Sequence, residues 1–294
     1  MAGRLTGQRA RSGATVTQLH QVLAEVDDWQ PSTVAVGVTT PEATVATHGP
    51  ASEALPFASL TKPLTAYGVL VAVQDGALHL DEPLGSASPS PEATVRHLLA
   101  HASGLPAEEG PAPIQSVERR RVYSNWGYEL LGRIVADRVG MPFAEHLSLE
   151  VLEPLGMSST TLEGSPAHAA RGTVDDLLRF ARELLDPQLL DTDLHATATS
   201  PAFPGLDGVV PGFGRQSPND WTLGFERKSD KDPHWTGTQL HPDTFGHFGQ
   251  SGSFLWVDPS RDLAAAELAN QPFDDWAKRA WPAFNDRLVE AAGA

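Results

Sequence analysis

Val16, Leu19, Val22, Leu23 and Val26 recur at helical spacing, so an amphipathic helix is expected over 16–29. β-Branched residues then cluster over 33–39 and 43–48, on either side of Thr40-Pro41-Glu42, and predict a hairpin. The most hydrophobic stretch comes next: Leu64, Val69, Leu70 and Val73 predict a buried helix from Thr61 that ends at Asp75-Gly76. From about 78 to 204 the pattern is one of helical pieces between Pro and Gly punctuation, over 93–101, 126–139, 142–151 and 174–185. Residues 201–218, rich in Gly and Pro, read as a long surface loop. Strand patterning returns over 221–227, 253–258 and 263–269, and a last helix is expected over 273–291. Strands at both ends with helices between them predict an α+β fold, in which one sheet is built from N- and C-terminal segments and a cleft separates it from an inserted helical lobe. The division expected is a flexible tail over 1–13, an α/β lobe from 14–77 and 205–294, and a helical lobe over 78–204.

Charge and composition narrow the chemistry. Among 294 residues there are 21 Lys and Arg against 37 Asp and Glu, a net charge of −16. Such a field repels phosphate backbones and anionic headgroups, so neither nucleic acid nor a membrane surface is expected as a partner, and a small-molecule substrate is. Cysteine is absent. Disulfides, thiolate catalysis and zinc-thiolate sites are thereby excluded, and any nucleophile is oxygen or nitrogen. Met1 to Ser12 is followed by no apolar stretch that would make a signal-peptide core, and the longest aliphatic run, Gly68 to Val73, is far below the roughly 20 residues of a membrane span. A cytoplasmic protein is expected, its oligomeric state unspecified.

Three short motifs carry candidate chemistry. Ser59-Leu60-Thr61-Lys62 opens the buried helix, and a spacing of three puts hydroxyl and amine on one helical face. Pro63 is tolerated only in a first turn, so Ser59 falls at or just before the helix start, where orphan N–H groups favour a developing oxyanion. The plain alternative is a capping serine beside a solvated lysine. Tyr123-Ser124-Asn125 can aim a phenol and an amide into a cleft; equally, Tyr123 could be a core aromatic and Asn125 a helix cap. Gly246-His247-Phe248-Gly249-Gln250-Ser251-Gly252 precedes a predicted strand, and its glycines permit a ligand to approach edge backbone closely.

In that order, Ser59-x-x-Lys62, Tyr123-x-Asn125 and His247-x-Gly249 resemble the three signature motifs of the serine β-lactamase and penicillin-binding protein superfamily, nearest its branch of class C β-lactamases, D,D-carboxypeptidases and family VIII carboxylesterases. The phrases His97 to Pro106, Tyr128 to Gly132 and Glu153 to Met157 are similar to that branch's, and the likeness spans roughly 17–270. The resemblance implies a β-lactamase/transpeptidase-like fold with an antiparallel sheet flanked by terminal helices. It also implies acyl transfer through a Ser59 ester, with no cofactor and no metal. Lys62 and Tyr123 would share the base role, in an order left open; Asn125 and His247 would bind substrate. The N–H groups of Ser59 and Gln250, next to Gly249, would form the oxyanion hole. For Lys62 to act near neutrality its pKa must fall by roughly three units, about 4 kcal/mol of differential destabilisation of its charge.

Departures from the family pattern bear on the substrate. The third motif lacks Lys, and Phe248 stands where Thr or Ser is usual, which favours a neutral ester or amide over an acidic β-lactam or peptidoglycan stem. The readings kept beside this esterase-type hydrolase are a D,D-peptidase or β-lactamase and a catalytically silent binding protein on the same fold. A nucleophile elbow at Ser251 fails for want of a glycine at Ser253 and a later His, so Ser251 reads as a turn residue. His97 and His101 lack the Glu of a zinc-binding helix, and His101 is expected to bond backbone near Ser103-Gly104. His234 and His241 read as polar-loop residues. Arg119-Arg120-Arg121 reads as a solvated face, with steering of an anionic substrate as the alternative. Trp126, Trp221, Trp235 and Trp256 read as core, Trp126 also as a possible pocket wall.

Overall fold

The computed structural model describes residues 13–293, so all but the last residue of the expected tail lies outside the described residues. A six-stranded sheet runs in spatial order Thr44–His48, Val34–Thr39, Leu263–Ala269, Ser253–Asp258, Phe245–Gly249 and Glu226–Arg227, every neighbour antiparallel. N- and C-terminal segments are thus interleaved, as the strand pattern implied. Successive strand residues face opposite sides. Val34, Val36, Val38, Phe254 and Trp256 join one core cluster with the helices Gly13–Leu23 and Asp275–Ala292, while Ala35, Leu255, Val257, Ala266 and Leu268 join a second with the helices Thr61–Gln74 and Val174–Leu185. A sheet covered on both faces accounts for central strands that are buried along their whole length rather than at alternate residues.

The helix Thr61–Gln74 is buried from Thr61 through Ala72, which is what an all-round apolar sequence requires. Pro63 is its third residue, where a missing N–H breaks no bond, and the helix ends at Asp75 before Gly76, whose φ of 75° suits a residue without a side chain. Around it pack the helices Asn125–Val139 and Phe143–Leu147.

Several expected elements differ in extent. The first helix stops at Leu23 and continues as a 3-10 turn, Ala24–Asp28, that still buries Val26. The segment over 93–101 is helical only from Val95 to Leu99, entered through a capping box between Thr94 and His97. The expected 142–151 helix is Phe143–Leu147 followed by wider π-type turns at Ser148–Leu152. The loop over 201–218 contains a two-stranded ribbon, Gly208–Val210 with Gly214–Gln216. Only Glu226–Arg227 of the 221–227 segment is strand, and the His247-x-Gly249 motif, expected just before a strand, is itself strand. A small sheet of Leu55–Pro56, Ala170–Gly172 and Thr161–Leu162, and a helix Thr192–Thr199, had no sequence signal: two-residue strands show no alternation to read. No helix among the described residues is long and apolar enough to cross a membrane.

One core residue opposes the fold. Glu267, between Val36 and Phe254 in the sheet, is fully buried, and neither carboxylate oxygen has a hydrogen-bond partner among the described residues. Desolvation holds its pKa well above the ordinary carboxylate value. The folded chain therefore retains this proton where the unfolded chain releases it, and stability falls as pH rises above about 4.3 toward the raised native pKa. Glu267→Leu should remove that slope and stabilise the protein by about 1–3 kcal/mol at pH 7, with less gain at pH 4.5. Thermal melts of both proteins at the two pH values check this; an equal or lower melting temperature at pH 7 would contradict it.

Candidate active site

Ser59 lies in the short turn Ala58–Leu60 that feeds directly into the helix Thr61–Gln74. The turn is held from both sides: Phe57 N–H donates to Ala170 O at 2.9 Å, and Ala170 N–H donates to Thr61 Oγ1 at 3.0 Å. Ala58 adopts a φ of 47°, a left-handed conformation that a residue with a side chain enters only when its surroundings impose it. One turn on, the Lys62 side chain is completely buried. Its Nζ lies 2.7 Å from Asn125 Oδ1, 3.0 Å from Ala167 O and 3.4 Å from Ser59 Oγ. Desolvation lowers its pKa to about 7, against the partial opposition of Glu108 and Glu129. That is close to the drop base chemistry would demand.

Tyr123 and Asn125 reach the same point from another element. Ser124 is extended, and its hydroxyl caps the helix Asn125–Val139 by accepting from Gly127 N–H at 3.0 Å. The cap is therefore Ser124 rather than Asn125, which leaves the Asn125 amide free to bridge Lys62 and Glu108, its Nδ2 donating to Glu108 Oε1 at 2.7 Å. Tyr123 is partly buried, its ring 4.6 Å from Lys62 Nζ and its hydroxyl in hydrogen-bond reach of Ser59. Burial raises the phenol's pKa, so it holds its proton at any physiological pH.

The third side is the strand Phe245–Gly249. His247 Nδ1 donates to Phe248 O at 2.6 Å, which leaves Nε2 as an acceptor 3.5 Å from the Tyr123 hydroxyl. Burial, and then Lys62, lower the imidazole's pKa to about 3, so His247 is neutral. At Gly249 any Cβ would stand 2.4 Å from Phe57 O; only glycine lets the strand lie against the Ser59 turn. Gln250 follows at the strand's end, its side chain donating to Phe273 O at 3.1 Å. Ser251 is a turn residue, as read, its hydroxyl 2.7 Å from that of Ser253.

Phe248 requires a correction. It alternates with His247 and faces the opposite side of the sheet, among Phe273 at 4.9 Å, Trp235 at 5.8 Å and Trp281 at 6.0 Å. It is a core aromatic and does not line the site, so the missing hydroxyl at this position says nothing about substrate choice.

Other residues differ from their reading as well. His101 does not bond near Ser103-Gly104; with a φ of 55° it turns inward, accepts from Ser124 N–H at 3.1 Å and sets its ring 4.6 Å from that of Tyr123, tilted by 38°. Arg121 is no part of a solvated face: it is buried and donates to the carbonyls of Ala100, Ala202, Phe203 and Asn219, fixing the segment that carries Tyr123. His234 is buried, paired with Glu226 at 3.1 Å. All four tryptophans read as core are buried; the one against Tyr123 and His247 is Trp221, at 6.0 and 5.5 Å. Among the described residues no group of three or more His, Asp or Glu is placed to hold a metal ion.

Serine, lysine, tyrosine, asparagine and histidine thus converge in one crevice from three elements far apart in sequence. A crystal structure of a beta-lactamase from Mycobacterium bovis superposes with a TM-score of 0.89 at 44% identity, covering 93% of this chain and all of that one. Among curated relatives, a penicillin-binding protein of Bacillus subtilis (strain 168) is 29% identical over 35% of this chain and 29% of its own length. The D-alanyl-D-alanine-carboxypeptidase/endopeptidase AmpH of Escherichia coli (strain K12) is 25% identical over 39% and 38%. The match therefore spans well under half the length of these two relatives. Residues 22–287 match the Beta-lactamase family as a whole. The chain belongs to the Beta-lactamase family and has its α+β, β-lactamase/penicillin-binding-protein fold.

Proposed function

We propose that this protein hydrolyses a small ester or amide through a covalent acyl-Ser59 intermediate. The observation that carries the reading is the environment of Lys62. With a pKa of about 7, half of its amine is neutral near pH 7. A neutral amine has two N–H groups and one lone pair; the N–H groups suit Asn125 Oδ1 and Ala167 O, and the lone pair is left for the Ser59 hydroxyl. Lys62 would take the Ser59 proton as Oγ attacks the carbonyl carbon, while the N–H groups of Ser59 and Gln250 receive the oxyanion. Collapse of the adduct breaks the bond to the leaving group, which departs with a proton relayed from Lys62 through the Tyr123 hydroxyl. Water then attacks the ester, gives its proton back along the same relay, and releases the acid and free Ser59. Tyr123, protonated throughout, serves as relay rather than as phenolate base.

The esterase-type preference keeps one support. His247 is neutral where the family's third motif often carries a lysine cation, so the strand offers no charge to a β-lactam or peptide carboxylate. Intact mass after brief exposure to a fluorophosphonate should show one adduct, on the peptide containing Ser59. A chromogenic short-chain ester should be cleaved by the wild type and not by Ser59→Ala. Labelling elsewhere, or equal cleavage by both proteins, would remove the serine assignment; no cleavage by either would favour a silent binding protein.

A further inference from the structure

Beside Tyr123 a cavity of about 930 Å³ opens between the 114–123 segment and the ribbon Gly208–Val210/Gly214–Gln216. Tyr123 forms part of its wall, and no residue of the strand Phe245–Gly249 does. We propose that this cavity receives an aliphatic arm ending in a carboxylate, carried by the substrate of the Ser59 site; the assignment rests on the hydrolase reading above for what the arm is attached to.

Charge is the first argument. Of the ionisable groups in the wall, Arg119, Arg120, Arg121 and Arg215 are cationic and Asp207 alone is anionic, a local balance of 4 − 1 = +3. The chain as a whole carries −16. Asp207 is already taken by Arg215 at 2.7 Å and by the Ser217 hydroxyl at 2.6 Å. Arg121 spends its donors on backbone carbonyls, so its charge is solvated by dipoles and not cancelled by a carboxylate in contact with it. Arg120 uses Nε on Gln115 Oε1 at 2.9 Å, which steadies the guanidinium and leaves its terminal N–H groups for a ligand. Arginine forks match a carboxylate in two parallel bonds, and a concave basic wall in an acidic protein focuses that preference.

The second argument is apolar. Three large hydrophobic side chains are exposed among the described residues: Ile114, Leu149 and Val209. Two of them, Ile114 at 57% and Val209 at 61% exposure, stand in this wall. An arm with a methylene stem would cover them, and its charged end would meet the arginines.

The test separates this assignment from the hydrolase reading. Calorimetric binding to Ser59→Ala compares monobenzyl adipate with benzyl hexanoate, which share a six-carbon acyl chain and differ in the terminal carboxylate. The adipate ester should bind at least about tenfold more tightly, more weakly as sodium chloride is raised, and with no advantage in an Arg119→Gln/Arg120→Gln double variant. Wild-type kcat/KM should likewise favour mono-4-nitrophenyl adipate over 4-nitrophenyl hexanoate, the ratio collapsing in the double variant. Equal binding of the two esters, or an anion whose affinity improves with salt because the overall negative field governs it, would overturn the proposal. If neither ester is cleaved yet the binding preference holds, the hydrolase reading fails and the cavity assignment stands. If both are cleaved alike and bind alike, the reverse is true.

Discussion

Lys62→Met should slow acylation of Ser59 by roughly two to four orders of magnitude, the range by which a positioned general base accelerates proton transfer. The loss should appear in kcat/KM for any ester, because the amine is needed before the first covalent step. Wild-type kcat/KM should rise with pH through about 7 as the ammonium loses its proton. In Lys62→Met that limb should vanish. Stability also rises with pH, over a higher range. The folded-state pKa of Lys62 is depressed below its ordinary 10.5, so the charged form penalises the fold fully below about pH 7, and the penalty fades as pH rises from 7 toward 10.5. Methionine removes it, so the variant should melt no lower than wild type at pH 6. Pre-steady-state acylation across pH 5–9, with melts on the same samples, decides the matter: a retained limb near pH 7 would assign it to another group, and normal acylation would end Lys62's claim as base.

The next largest effect expected is on the fold beneath the site. Glu226 is buried, and its carboxylate accepts from Lys231 Nζ at 3.1 Å, His234 Nε2 at 3.1 Å and Trp235 Nε1 at 2.8 Å. Desolvation pushes its pKa up, but Lys231 and His234 outweigh it and hold the group ionised, well below the usual carboxylate range. Lys231 is itself tied to Asp220 O at 2.9 Å and Arg227 O at 2.6 Å. Glu226→Ala leaves a buried ammonium without its counter-ion and three donors without an acceptor. Breaking such a pair from one side costs roughly 3–5 kcal/mol, on the order of 10 °C in melting temperature for a chain of this size. Glu226 also pairs with Gly246 in the sheet, next to His247, so activity should fall before the chain unfolds. A calorimetric melt within about 2 °C of wild type would show that the network contributes little.

The parts of this site that could be read in the sequence are those governed by local geometry. Ser59 and Lys62 share a helical face whatever the rest of the chain does, and Pro63 fixes where that helix begins. The sheet's interleaving was visible because apolar runs sit at both ends, valine-rich over 34–38 and rich in Phe, Leu, Trp and Ala over 254–269. What stayed hidden depends on long-range packing. His101 enters the site through a left-handed backbone conformation that its residue type does not advertise, and Trp221 arrives on a segment where only two residues pair as strand. Phe248 was misplaced because a strand residue's face depends on register, and a one-residue change of phase exchanges site for core. Arg121 looked like one of three equivalent surface charges until the carbonyls of Ala202 and Asn219 closed around it.

The interleaved sheet has a consequence for how the protein is made. The strand Val34–Thr39 leaves the ribosome well ahead of the neighbour it needs on its inner edge, Leu263–Ala269, which is translated more than two hundred residues later. Until then its backbone donors and acceptors on that edge stay open, and at ordinary elongation rates of about 5–20 residues per second the wait lasts on the order of ten seconds or more. The nascent chain can wind its helices meanwhile, but the sheet closes only once Leu263–Ala269 has emerged.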